Sequence, residues 1–105
     1  MINDYMKKAR GANARLQQYP YVPIPPIVCV DGFKISVQAS SCHYCSPRED
    51  AAYEYYTVEC GFPSVAEELI AEYAEDPADL TGTVYAYVPV AIVEQLLELH
   101  GGIAE

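Results

Sequence analysis

After residue 48 the chain contains no lysine and no arginine. All six basic residues (Lys7, Lys8, Arg10, Arg15, Lys34 and Arg48) come earlier, accompanied only by Asp4 and Asp31. Residues 1–48 therefore carry +4 and residues 49–105 carry −13, together the net charge of −9. An acidic half of this size disfavours direct contact with nucleic acid and favours a basic partner. The competing reading is a solvated face that maintains solubility.

Other absences narrow the field. No apolar run approaches the roughly 20 residues of a membrane span. The opening "MINDYMKKARGANARLQQ" has no apolar core of the kind found in signal peptides. A soluble cytoplasmic protein without membrane contact is expected, its four cysteines reduced unless they hold a metal or cycle in redox chemistry. There is no glycine-rich phosphate cradle, no histidine pair at metal spacing and no nucleophile elbow. The carboxylate pairs Glu68/Glu72 and Glu94/Glu98 have the four-residue spacing of solvated helix faces rather than of acid–base catalysts. Neither an enzyme nor a cofactor is expected.

What is present describes one folded domain. Of 105 residues, 51% are hydrophobic and 20% charged, enough for a modest core. Within residues 1–18, a helix is predicted over 4–17 from Tyr5, Met6, Ala9 and Leu16, although Gly11 and Asn13 weaken it. "YPYVPIPPI" (19–27) is an extended connector, because proline lacks the amide donor and fixes its own torsion. Residues 28–105 form the α+β domain.

In "IVCVDGFKISVQA" the Asp31–Gly32 pair predicts a two-residue hairpin turn. It would pair Val30 with Phe33, Cys29 with Lys34, and Val28 with Ile35. The core face is then Val28, Val30, Phe33, Ile35, Val37 and Ala39, with Cys29, Lys34, Ser36 and Gln38 facing away. A third strand in "YEYYTVECGF" sets Tyr56, Val58, Cys60 and Phe62 against Tyr55, Thr57 and Glu59. "PSVAEELIAEYAEDP" predicts a helix capped by Ser64 and Glu67, burying Val65, Ala66, Leu69, Ile70 and Tyr73. A fourth strand, "TGTVYAYVP", opposes Val84, Ala86 and Val88 to Thr83, Tyr85 and Tyr87. A last helix opens at Pro89, buries Ile92, Val93, Leu96 and Leu97, and ends at Gly101 or Gly102, with His100 as a cap.

The order β-β-β-α-β-α implies an α+β fold, a mainly antiparallel four-stranded sheet with two helices on one face. The other face is open, or covered in part by the proline segment. Tyr55, Tyr85 and Tyr87 would gather there beside Thr57 and Glu59, as a binding surface or one covered by a second copy in a homodimer.

The remaining feature is "SCHYCSPRED" (41–50). Cys42-x2-Cys45 with His43 makes half of a zinc site, but Cys29 and Cys60 stand alone in the sequence, so the ligand set is incomplete. Cys45 runs into Ser46-Pro47-Arg48 rather than into a helix, which argues against a redox pair. A loop joining two strands is the favoured reading.

The runs "ISVQASSCHYCSPRED", "VECGFPS" and "TVYAYVPVAIVEQLLELHGG" resemble a group of small, mostly uncharacterised bacteriophage and prophage proteins, over roughly residues 28–102. The resemblance implies a viral or prophage origin and a host bacterial cytoplasm; it assigns no residue a role. Together with the charge it leads to two expectations. One is an inhibitor, anti-CRISPR-like, that mimics DNA and occupies a basic groove of a bacterial nucleic-acid-binding defence complex through Glu67, Glu68, Glu72, Glu75, Asp76 and Asp79, with the tyrosine face as its apolar part. The other is a small structural accessory protein whose cysteine loop binds zinc.

Overall fold

A computed structural model describes residues 1–12 and 22–104. Four antiparallel strands, β1 (Ile27–Val28), β2 (Lys34–Gln38), β3 (Thr57–Gly61) and β4 (Val84–Pro89), lie side by side in chain order. With them go helix α1 (Ile2–Gly11), a 3₁₀ helix (Glu68–Tyr73) and helix α2 (Val90–Leu99). The α+β class and the N-terminal helix are those expected from sequence.

Helix α2 follows its periodicity closely. Val93, Leu96 and Leu97 are fully buried, Ile92 partly, Pro89 stands at the N-cap, and the backbone turns left-handed at Gly101 and Gly102. Helix α1 runs to Gly11, with Ala12 as its C-cap, a stop that suits glycine, the residue that loses the most backbone freedom in a helix. Ile2 and Met6, one turn apart, enter the same core cluster as the sheet. Residues 13–18 of the predicted helix and 19–21 of the connector lie outside the described residues.

The hairpin departs by one residue. Ile27 pairs with Ile35 and Val28 with Lys34, so the turn has three residues, Val30-Asp31-Gly32, rather than two. Gly32 takes the left-handed φ of 94°, and Asp31 Oδ1 accepts the Phe33 amide at 2.9 Å. A slip of one residue turns every side chain of a strand over. Phe33, Ile35, Val37 and Ala39 are buried as expected, but on β1 it is Ile27 and Cys29 that face the core. Val28 and Val30 are exposed, Val30 to 67%.

β4 carries a second irregularity. Val58 pairs with Val88 but Cys60 with Tyr85, so β4 has one residue more than β3 over this stretch, a β-bulge. The bulge breaks the expected alternation and turns Tyr85 fully inward beside Val88. Tyr55, two residues before β3, is also buried, its hydroxyl donating to the Glu49 carbonyl at 2.5 Å. Tyr56 and Phe62, expected inside, are exposed. The predicted face of Tyr55, Tyr85 and Tyr87 therefore does not form. Gln38 does turn away from the main core, yet it is buried. Its amide bonds both the N–H and the C=O of Ile24 at 2.9 Å, and the proline connector covers it.

The segment predicted as a capped helix is six residues of 3₁₀ helix. The Ser64 hydroxyl accepts the Lys34 amide instead of capping, and Glu67 is extended, with φ −130° and ψ 118°. The Ser64 N–H is held to Lys34 O, and beyond the helix the Glu75 N–H is held to Val84 O. A 3₁₀ helix rises about 2.0 Å per residue against about 1.5 Å for an α-helix, so it spans more distance between fixed ends. Only Ile70 is fully buried; Leu69 and Tyr73 pack partly, while Val65 and Ala66 are exposed.

Candidate functional site

The cysteine loop is held to the sheet by backbone contacts and one carboxylate. Ser46 bridges Thr57, and the Tyr44 amide donates to Glu59 Oε2 at 2.9 Å. At the β4 bulge the Tyr87 amide donates to Tyr44 O at 3.1 Å. The loop thus takes up the backbone donor of a residue whose φ is +52°, a conformation costly for a bulky side chain. The outcome is an exposed aromatic pair, with the Tyr44 and Tyr87 rings 6.0 Å apart and the Arg48 guanidinium 5.3 Å from the Tyr44 ring centre. Of the three tyrosines expected at the surface, Tyr87 alone is there.

The loop's own cysteines diverge. Cys45 is buried and its thiol donates to Ser40 O at 3.2 Å, while Cys42 is exposed beside Ser41. His43 Nδ1 lies 2.6 Å from Ser40 Oγ, so its ring is engaged within the loop. Cys29 and Cys60 are buried elsewhere in the core. Burial pushes the Cys45 thiol up and the Cys60 thiol to about 12, so both stay protonated, the form that neither attacks nor ligates. Among the described residues, no group of three or more His, Cys, Asp or Glu side chains is arranged to hold a metal.

The acidic stretch behaves differently. Glu68, Glu72, Glu75, Asp76 and Asp79 are all exposed. Among the described residues, no lysine or arginine forms an ion pair with any of them. The Asp76 and Asp79 backbones are ordered by the turn that follows the 3₁₀ helix: Asp76 N–H donates to Thr83 Oγ1 at 3.0 Å, and Gly82 N–H to Asp79 O at 3.1 Å.

Glu67 is the exception. Its Oε1 lies 2.7 Å from His100 Nε2, and Asp31 Oδ2 lies 2.6 Å from His100 Nδ1. The ring stacks on Phe33 at 4.0 Å with an 8° tilt. Two carboxylates on two ring nitrogens require two N–H donors, which only the imidazolium has. His100 is thus a cationic staple between the hairpin turn, the 3₁₀ entry and the end of α2. Glu67 leaves the free acidic set. No sequence signal marks this cluster, because its members lie 33 and 69 residues apart.

Burial pulls the His100 pKa down, but the hydrogen bonds from Asp31 and Glu67 outweigh it and the net shift is upward. Desolvation pulls His43 downward. The two histidines are therefore expected to titrate on opposite sides of about 6.5, the usual value, in an NMR titration of the imidazole resonances. A raised folded pKa means the native state keeps its proton longer than the unfolded chain. The staple's contribution is complete below about pH 6.5 and is lost as pH rises through the folded value. Asp31 is lowered, first by the Phe33 amide and then by His100, so its contribution is lost at the acid end instead. Both histidines titrating together near the usual value would contradict the staple.

A cavity of about 600 Å³ separates α1 from the turn at 51–55. Its walls are mostly apolar, and Asn3, one of the few polar groups there, is already bonded to the backbone of Tyr55 at both ends. Among the described residues that line it, none forms a nucleophile–base pair. No described helix is long and apolar enough to cross a membrane. No protein-family model, curated protein or solved structure matches the chain.

Proposed function

We propose that this protein is a binding module whose acidic stretch, Glu68 to Asp79, engages a basic bacterial protein. The single observation that supports it is the row of five exposed carboxylates with no cation against them among the described residues. Like charges held close repel one another, and a basic surface relieves that repulsion as it binds. Binding of this kind needs no catalytic group. The resemblance to phage and prophage proteins supports a narrower form: an inhibitor acting in the host cytoplasm, laying its carboxylates where a defence complex of the CRISPR type holds nucleic acid. Tyr87, with Tyr44 beside it, supplies aromatic contact area; Tyr55 and Tyr85 do not.

The test compares the native protein with the triple variant Glu68→Lys, Glu72→Lys, Glu75→Lys as bait in nuclease-treated bacterial lysate. These side chains are exposed, so the fold is expected to survive, as circular dichroism would verify. The native form should recover a basic nucleic-acid-binding protein and block its binding to nucleic acid, more weakly as salt rises. The variant should do neither. Equal recovery by both forms would remove the acidic stretch from the function.

A further inference from the structure

Helix α2 ends with an apolar residue left in solvent at the margin of its buried stripe. Leu99 is 69% exposed, the most exposed of the described leucines, isoleucines, valines and methionines. It lies four and one residues from Gln95 and Glu98, which are also exposed, and these three form a shallow groove of about 390 Å³ with Leu69 of the 3₁₀ helix. Residues three apart eclipse in a 3₁₀ helix, so Glu72 stands in line with Leu69. The groove has an apolar floor, Leu69 and Leu99, with the Glu98 carboxylate in its wall and Glu72 one 3₁₀ turn on from Leu69.

We propose that this groove seats an amphipathic basic helix of the partner. The helix lays leucine-like side chains on Leu69 and Leu99 and directs its lysines or arginines to Glu98 and Glu72. The proposal rests on the acidic-stretch reading and deepens it, because the charge around the groove selects a cationic occupant and the floor selects an apolar face. An unadorned polycation would satisfy the carboxylates and leave the two leucines wet. Helix-in-groove docking reads such a pattern through anchors at i, i+3, i+4 and i+7, and lysine stems add apolar cover beside the anchors.

The experiment uses the full chain and two synthetic helical peptides of equal length and charge. One carries leucine on one face among lysines, and the other has serine in place of each leucine. The leucine peptide should bind roughly tenfold more tightly, the gain expected from burying about half a leucine side chain. It should also shift the methyl resonances of Leu69 and Leu99. Leu99→Ser, an exposed change that should leave the melting curve unmoved, should erase that preference without altering affinity for the serine peptide. Equal affinity for the two peptides, or a preference that survives Leu99→Ser, would overturn the groove and leave the acidic-stretch reading standing. Failure of both peptides to bind, or unaltered binding of both to the triple-lysine variant, would overturn the two together.

Discussion

Tyr85→Ala is expected to lower the thermal midpoint by roughly 15–30 °C. The side chain is fully buried beside Val88, and its hydroxyl donates to the Leu80 carbonyl. Removing a buried aromatic ring costs about 3–5 kcal/mol. That is a large share of the ~5–15 kcal/mol that holds a small domain folded, at about 4–8 °C per kcal/mol for a chain of this size. Tyr85→Phe keeps the ring and strands only the Leu80 carbonyl, so it should cost about 1–2 kcal/mol. The two variants separate ring burial from the hydrogen bond in a single series of melts. A midpoint unmoved in Tyr85→Ala would put the ring on the surface, where plain alternation along β4 places it.

Gln38→Leu should be nearly as damaging despite its conserved size. The Gln38 amide is the partner of both backbone polar groups of Ile24, in a buried setting, and it also donates to Ser36 Oγ at 2.9 Å. Leucine fills the volume and satisfies none of these. Each buried group left unpaired costs about 1–3 kcal/mol, so a loss of roughly 2–4 kcal/mol is expected. Because prolines 23, 25 and 26 have no amide to offer the sheet, this side chain, together with the Arg10 guanidinium that donates to Val22 O at 3.2 Å, does for the connector what a ladder of backbone bonds does for a strand. Hydrogen exchange supplies the local readout, since the Ile24 amide should lose protection earlier than those of β3. Unchanged exchange at Ile24 together with an unchanged melt would refute the tether.

These two residues also show what the sequence can and cannot carry. The α2 stripe was legible because ten residues repeat one period between a proline and two glycines. On β2, Phe33 to Ala39 were legible because four buried positions alternate without interruption. β1 was misread because a two-residue strand has no alternation to check, and Asp-Gly fits a three-residue turn as well as a two-residue one. Tyr85 was misread because the bulge at Tyr87 depends on Tyr44, a contact 43 residues away that no local pattern announces. The 3₁₀ helix reflects anchors on β2 and β4, which override a sound helical pattern. Of the site, the acids were legible as charge alone. Neither the exposure of Leu99, which stands at helical spacing from Ile92 and Leu96, nor the pairing of Glu67 with His100 was legible.

The two outermost strands have consequences for how any partner can approach. Residues 102–104 hydrogen-bond along β1, with Val30 N–H to Gly102 O at 2.9 Å and Ala104 N–H to Val28 O at 2.8 Å. On the far side Ala74 bridges Tyr85, and Glu75 N–H meets Val84 O at 3.0 Å. Free strand edges are templates onto which another chain can zip, in aggregates as in peptide recognition by strand addition. Here short segments of the chain itself occupy those templates at both margins. Recognition by backbone pairing there is foreclosed, and a partner must be chosen by side chains. A sheet whose margins are paired in this way also offers little template for nucleating fibrils by strand addition.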